Sequence, residues 1–109
     1  MTSLNSVQLI GTLGAEPEVR TSSAGKALTK VSIATNRRVK VGDEWTEVTD
    51  WHKVTLFGNE AEYVGKYGKK GATIAIGGRL QANKWTDNQG QQRFDMDIVG
   101  EAVHYLGKV

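Results

Sequence analysis

An all-β fold with one short helix is what this 109-residue sequence predicts. Three observations point there. Thirteen glycines stand against a single proline, Pro17, a composition suited to strands joined by tight turns. Apolar and polar residues alternate through five stretches, with the period of a half-buried strand. After Phe57 the period lengthens to that of a helix. The length suits one domain, residues 1–109, and a chain of this size buries about two-thirds of its unfolded surface, enough for a single core.

The elements follow in order. Leu4 to Leu13 predicts the first strand, with Val7, Leu9 and Leu13 on one parity and a bend at Gly11. Gly14-Ala15-Glu16-Pro17 is a turn; Glu18-Val19-Arg20 is a short extended piece, and Thr21 to Gly25 turns again. Ala27 to Arg37 predicts the second strand, with Val31 and Ile33 facing inward. Arg38 to Glu44 is polar and contains Gly42, so a loop is expected there. Thr46 to Phe57 predicts the third strand. Asn59 is placed to cap a helix, with Glu62 three residues on to complete a capping box. Ala61 and Val64 form its apolar stripe, and Gly68 or Gly71 ends it in the left-handed conformation. About ten residues make too short a helix to stand alone, so it must pack on the sheet. Ala72 to Trp85, broken at Gly77-Gly78, is the fourth strand; Asp87 to Gly90 turns; Arg93 to Leu106 is the fifth. Five long strands bent at glycines, with a helix between the third and fourth, match the Greek-key barrel of the OB-fold. An open sheet covered by the helix is the alternative, but it leaves more strand edges exposed.

Composition narrows the function. There is no cysteine, hence no disulfide, thiolate metal site or cysteine nucleophile. No apolar run approaches about 18 residues, so no spanning helix is expected. The first residues lack a basic start followed by an apolar run, so no signal peptide is expected either. The net charge of +2 hides segregation: residues 1–42 carry six basic and two acidic side chains, 43–62 one and six, 63–84 five and none. Segregated basic stretches can create a local anion-binding field on a nearly neutral protein.

Candidate catalytic groups are thin. His52 and His104 stand without metal-ligand spacing, and His52 beside Asp50 reads as structural. Asp95 and Asp97 share a strand face but read as surface charge. The Gly68-Lys69 pair fails as a phosphate loop, since Tyr63 stands where the first glycine belongs and Lys70 where Ser or Thr belongs. No enzyme, metal or cofactor is expected.

Strand parity gives the stronger signal. If His52, Val54 and Leu56 face the core, Trp51, Lys53, Thr55 and Phe57 face outward. On the fourth strand Ile74, Ile76, Leu80 and Ala82 share one side, and Arg79, Gln81, Asn83 and Trp85 the other. Aromatic rings flanked by cations on a sheet suit single-stranded nucleic acid: bases stack, and Lys and Arg meet phosphates. The competing reading is that these rings are core or subunit-contact residues.

The stretches 11–20 (GTLGAEPEVR), 50–58 (DWHKVTLFG) and 84–87 (KWTD), followed by Gly90, resemble the bacterial-type single-stranded DNA-binding protein (SSB) family, in order and spacing over nearly the whole chain. The resemblance implies an OB-fold homotetramer that wraps single-stranded DNA in replication, recombination and repair, a cytoplasmic, nucleoid-associated role. An organelle or mobile-element origin stays open. It implies base stacking on Trp51, Phe57 and Trp85. Candidate phosphate contacts are Lys53, Arg79, Lys84, Arg37, Arg38, Arg20, Lys69 and Lys70, although the last two also sit where cations favour a helix end. His52, Val7 and Leu9 are expected at an oligomer contact. Three departures stand out. Val39 occupies the place of a tryptophan common in the family, and Trp45 is the candidate replacement. Gln81 and Asn83 stand where basic residues are common. The family's acidic C-terminal tip is not within these residues, which stop at Gly107-Lys108-Val109, so no tail-mediated partner is assigned. Two other readings are a dimeric primosomal OB-protein and a protein-interaction module with buried aromatics.

Overall fold

The computed structural model describes residues 2–107. The strands are β1 (Val7–Leu13), β2 (Arg20–Thr21), β3 (Ala27–Val41), β4 (Glu44–Phe57), β5 (Thr73–Thr86) and β6 (Gln92–Gly107); the single helix α1 spans Gly58–Tyr67. The sheet runs β1-β5-β6-β4-β3-β2, and β1 also pairs with β3 through Thr12–Ala34 and Leu13–Ile33. Five strands therefore close into a ring, as predicted, and closure removes the exposed edges that an open sheet would carry. β2 is an addition: two residues pair with the start of β3, through Arg20–Leu28 and Thr21–Ala27. One joint in the ring is parallel, where β4 and β6 meet through just Val54–Ile98 and Thr55–Val99.

The inward parity of each strand fills the barrel. Leu13, Val31, Ile33, Val54, Leu56, Ile74, Ile76 and Ile98 are buried, and Ala61 and Val64 of α1 close one end. Val7 and Leu9 pack half-buried against this core. On β6 the inward parity changes from Ile98 and Gly100 to Val103, because Glu101 bulges out between the pairs Gly77–Ala102 and Gly78–Gly100. Gly78 sits opposite the bulge, where a Cβ would run into the Val99 carbonyl. The predicted corner at Gly77-Gly78 is thus a β5 site whose extra residue lies on β6.

Three local expectations are corrected. Residues 38–41 continue β3, and residues 44 and 45 begin β4, so the expected loop 38–44 shrinks to a turn at Gly42-Asp43 in a long hairpin. Gly42, at φ 62°, supplies the left-handed residue that so tight a connection requires. The helix is not capped by Asn59: β4 runs straight into it, the N-cap position falls on Phe57, and no side chain caps it. Gly58, at φ 61°, makes the corner one residue too early for the Asn59–Glu62 box. At the other end Gly68 keeps an ordinary φ of −76° while its N–H bonds the Val64 carbonyl at 2.7 Å. Gly71 takes the left-handed φ of 87°, and its N–H bonds the Leu13 carbonyl, tying the post-helix turn to β1.

The far parts of β3–β4 and β5–β6 outrun the barrel as two-stranded arms. This explains a further correction: Leu80 and Ala82 are exposed, not core like Ile74 and Ile76. No second layer covers that side of the β5–β6 arm among the described residues, so the same parity that is inward in the barrel is open in the arm. Asn5 fastens the root of the arm, donating to the Leu80 carbonyl at 2.7 Å and accepting the Leu80 N–H at 2.8 Å, a side chain acting in place of a strand residue.

Candidate nucleic-acid interface

The register of the β3–β4 hairpin sorts its side chains into two faces. Directly opposed pairs on one face are Leu28–Phe57, Lys30–Thr55, Ser32–Lys53, Ala34–Trp51, Asn36–Thr49, Arg38–Glu47 and Lys40–Trp45. Arg20 extends the first of these rows through its pairing with Leu28. Trp45, Trp51 and Phe57 therefore lie along a single face of β4, six residues apart, or about 20 Å between neighbours. All three are open to solvent, at 59%, 60% and 46% exposure. Rings that the core does not use keep flat apolar surface available for a partner with flat rings of its own.

Each ring is positioned differently. Trp51 lies over Gly14, where any Cβ would meet the six-membered ring of the indole. Gly14 is itself held to β3 by its N–H bond to the Ser32 carbonyl at 3.0 Å. Trp45 carries the Arg38 guanidinium 5.5 Å from its ring centroid, a cation on one face of the indole. Val39, the alternative position for a loop tryptophan, lies on the opposite face of the hairpin. Phe57 sits at the end of β4, where the turn at Gly58 holds it.

Between β4 and β6, where the strands part beyond their short parallel joint, an open groove of about 750 Å³ forms. Trp51, Lys53, Thr55, Lys30 and Ser32 line it from the β3–β4 side; Asn83, Asp95, Met96 and Asp97 line it from the β5–β6 side. The basic wall and the acidic wall face each other across the same space. Lys30 was not singled out by the sequence reasoning, although its parity with Ser32 opposite Lys53 marks it once the register is known. Asp95 and Asp97, expected as plain surface charge, are groove-lining. No periodicity could show this, because it depends on β6 crossing to pair with β4.

Trp85 stands on the β5–β6 arm, 48% exposed and directly opposite Arg93. Along the same side run Asn83 opposite Asp95 and Gln81 opposite Asp97. Lys84 lies on the other side opposite Phe94, which is 73% exposed, and both line a second open hollow around Trp85 at the arm's tip. The tip is held by Asp87. Its Oδ1 accepts the Gln89 and Gln91 N–H groups, each at 2.9 Å, and its Oδ2 accepts Arg93 Nε at 3.0 Å. The Gln91 N–H, then the Arg93 guanidinium, hold the carboxyl below its usual range, outweighing partial desolvation. A lowered folded-state value means that this stabilisation is full above the ordinary Asp range and fades as pH falls through the folded value. Asp87→Ala is expected to speed amide hydrogen exchange at Gln89 and Gln91 at neutral pH; in the parent protein the same amides are expected to lose protection only in acid.

The remaining candidates separate clearly. Arg37 lies on the hairpin face opposite Trp51 and pairs with Asp50 at 2.8 Å, so it does not join the groove. His52 shares that opposite parity, half-buried, with Nε2 2.8 Å from Thr35 Oγ1, although its position at the rim lets it line the groove. Arg79 is exposed at the root of the β5–β6 arm. Arg20 is exposed on the Phe57 row, 3.8 Å from Glu18. Lys69 and Lys70 lie in the turn after α1, where the Lys70 N–H meets Glu16 Oε1 at 3.3 Å, and neither lines the groove. Val7 and Leu9, expected at an oligomer contact, lie half-buried against the core on the inward face of β1, in a stretch that pairs with β5 and not with β3; the outward apolar residue of β1 is Ile10, 65% exposed.

A closed five-stranded ring with a helix before its fourth long strand, exposed rings along one hairpin, and a groove beside a second arm define an OB-fold nucleic-acid-binding module. The chain belongs to the Single-strand binding protein family, whose family profile matches residues 4–106. A curated protein of Xylella fastidiosa, single-stranded DNA-binding protein 1, is 42% identical over 110 residues, covering 99% of this chain and 81% of its own. Among solved structures, a Plasmodium falciparum SSB in complex with ssDNA superposes with a TM-score of 0.83 at 28% identity, covering 97% of both chains. A deletion mutant of the Thermus aquaticus single-stranded DNA binding protein also superposes at 0.83, with 32% identity, covering 94% of this chain and 50% of that one.

Proposed function

We propose that this protein binds and protects single-stranded DNA in replication, recombination and repair, with little choice of sequence and no catalytic step. The row of open rings on β4 carries the reading. Trp45, Trp51 and Phe57 share one face with Lys30, Lys53 and Arg38, which suits bases stacked on rings and phosphates drawn to neighbouring cations. Trp85, with Arg93 opposite, extends the same chemistry to the second arm. Stacking uses the π-face common to every base, whereas a duplex keeps its bases stacked on one another and withholds that face. Single strands are therefore preferred over duplex.

Four copies acting together fit this reading, because linked sites raise the effective concentration of each for one strand. Ile10 on the outward side of β1, and His52 at the rim of the hairpin, are the side chains we assign to contacts between copies. The bacterial relative supports a cytoplasmic setting, in which a single-strand binder would associate with the nucleoid. No helix among the described residues is long and apolar enough to cross a membrane.

The test is a titration with single-stranded and duplex oligonucleotides of equal length at two salt concentrations, on material whose mass in solution is known. Binding should favour the single strand, and log affinity should fall with log salt at about 0.7 per phosphate neutralised. Equal affinity for duplex, or no salt dependence, overturns the proposal. A mass of two chains rather than four overturns the tetramer alone.

A further inference from the structure

The β5–β6 arm that carries Trp85 leaves the barrel through a weak cross-section. Gly77 and Gly78 lie there on β5, opposite Ala102 and Gly100 on β6, and Glu101 bulges between those two partners. With so few side chains to pack and one residue out of register, the arm bends more easily at this root than along its ladder. β1 braces β5 as a strand as far as the pair Val7–Gly78. The same register, carried two residues along, places residue 5 directly opposite Leu80. There the Asn5 side chain takes over from the backbone. Its Nδ2 donates to the Leu80 carbonyl at 2.7 Å, and its Oδ1 accepts the Leu80 N–H at 2.8 Å. One amide reproduces the two bonds that a strand residue would make and extends the brace past the glycines. Among the described residues, the other side-chain hydrogen bonds and ion pairs of residues 79–97 stay within the arm.

Trp85 stands five residues beyond Leu80, so a swing of about 10° at the root, acting over about 17 Å of strand, moves the ring by about 3 Å. That breaks contact with a stacked base, since a gap of about 1 Å already forfeits up to half of the dispersion attraction. We propose that Asn5 is a positioning residue for Trp85: it holds the arm at the angle from which this ring meets a strand already seated on Trp51 and Phe57. Both polar atoms of its amide are engaged with Leu80, so it acts through the arm and not by touching DNA. Without it only a fraction of molecules hold the arm ready, and apparent affinity falls by that fraction. The inference rests on the single-strand reading above and adds to it the device that sets one stacking surface relative to the other.

The test is a pair of double-variant cycles, read by anisotropy of a labelled oligo(dT) at fixed salt. Asn5→Ala is expected to weaken binding about three- to tenfold, the scale of one or two neutral hydrogen bonds. In the Trp85→Ala background the same change should cost nothing further, because no ring is left to position. In the Trp51→Ala background it should cost its full amount. The Leu80 amide proton should exchange faster in Asn5→Ala, while the thermal midpoint, set by the barrel core, changes little. Should the midpoint fall, the comparison still decides, since both backgrounds carry the same loss of fold. Parent-level affinity in Asn5→Ala overturns the proposal. An equal loss in both tryptophan backgrounds overturns it too, because that marks a general effect on fold or assembly. Parent-level affinity in Trp51→Ala and Trp85→Ala alike removes the stacking reading and the proposal with it, a result that the Asn5 variant by itself cannot produce.

Discussion

Trp51→Ala is expected to weaken single-strand binding by about 1–3 kcal/mol, and Trp85→Ala by a similar amount. Each corresponds to about a 5- to 150-fold loss of affinity. Trp51 is 60% exposed and lies over Gly14, outside the buried core, so its removal takes away a stacking platform while leaving the core untouched. Trp85 is on the other arm, with Arg93 opposite, and shares no partner with Trp51, so the two losses should add in the double variant. Because the substitutions remove the fluorophores, the measurement is anisotropy of a labelled oligo(dT), with thermal unfolding as the control for the fold. Parent-level affinity in both single variants would mean that the rings serve some other contact.

Leu56→Ala is expected to lower stability by about 2–5 kcal/mol, the cost of lost apolar burial plus the cavity left behind. Leu56 is fully buried, and its Cδ2 occupies the space above Gly100, where even a Cβ on that glycine would collide with it. The loss is large against the 5–15 kcal/mol that a domain of this kind typically commands. It would appear as a lower denaturant midpoint at fixed protein concentration, since assembly couples stability to concentration. Leu56 is on the inward parity of β4 and its neighbour Phe57 on the outward. Phe57→Ala should therefore weaken DNA binding with much less effect on the midpoint, and the contrast between adjacent residues tests the assignment of faces directly.

Variants of the exposed rings and of the core are expected to give separable results: loss of binding to all bases, and loss of fold.

Much of this was legible from residue order. The alternation around Val31 and Ile33, and around Val54 and Leu56, placed those residues in the core, and the same alternation put Trp51, Lys53 and Phe57 outside it. Alternation is local, since neighbouring side chains on a strand must point to opposite faces. It failed where the environment rather than the pleat decides burial. Leu80 and Ala82 keep the parity of Ile76, yet they are exposed, on an arm that runs past the barrel. Trp45 falls at the edge of an expected loop because Gly42 and the polar residues around it resemble one, although the pairing of Lys40 with Trp45 continues the strand. The cap at Asn59 satisfied a local pattern that Gly58 pre-empted by turning the chain one residue sooner.

What the sequence determined alone was therefore the set of strands, the inward and outward residues within the barrel, and the open aromatic–basic face, all of which follow from interactions a few residues apart. Only the tertiary structure decided that Asp95 and Asp97 stand across a groove from Lys30 and Lys53, and that Arg37 turns away to Asp50. Those placements depend on register and on the parallel joint between β4 and β6. Such a contact links residues more than forty positions apart, and it is selected by closure of the whole ring rather than by any nearby pattern.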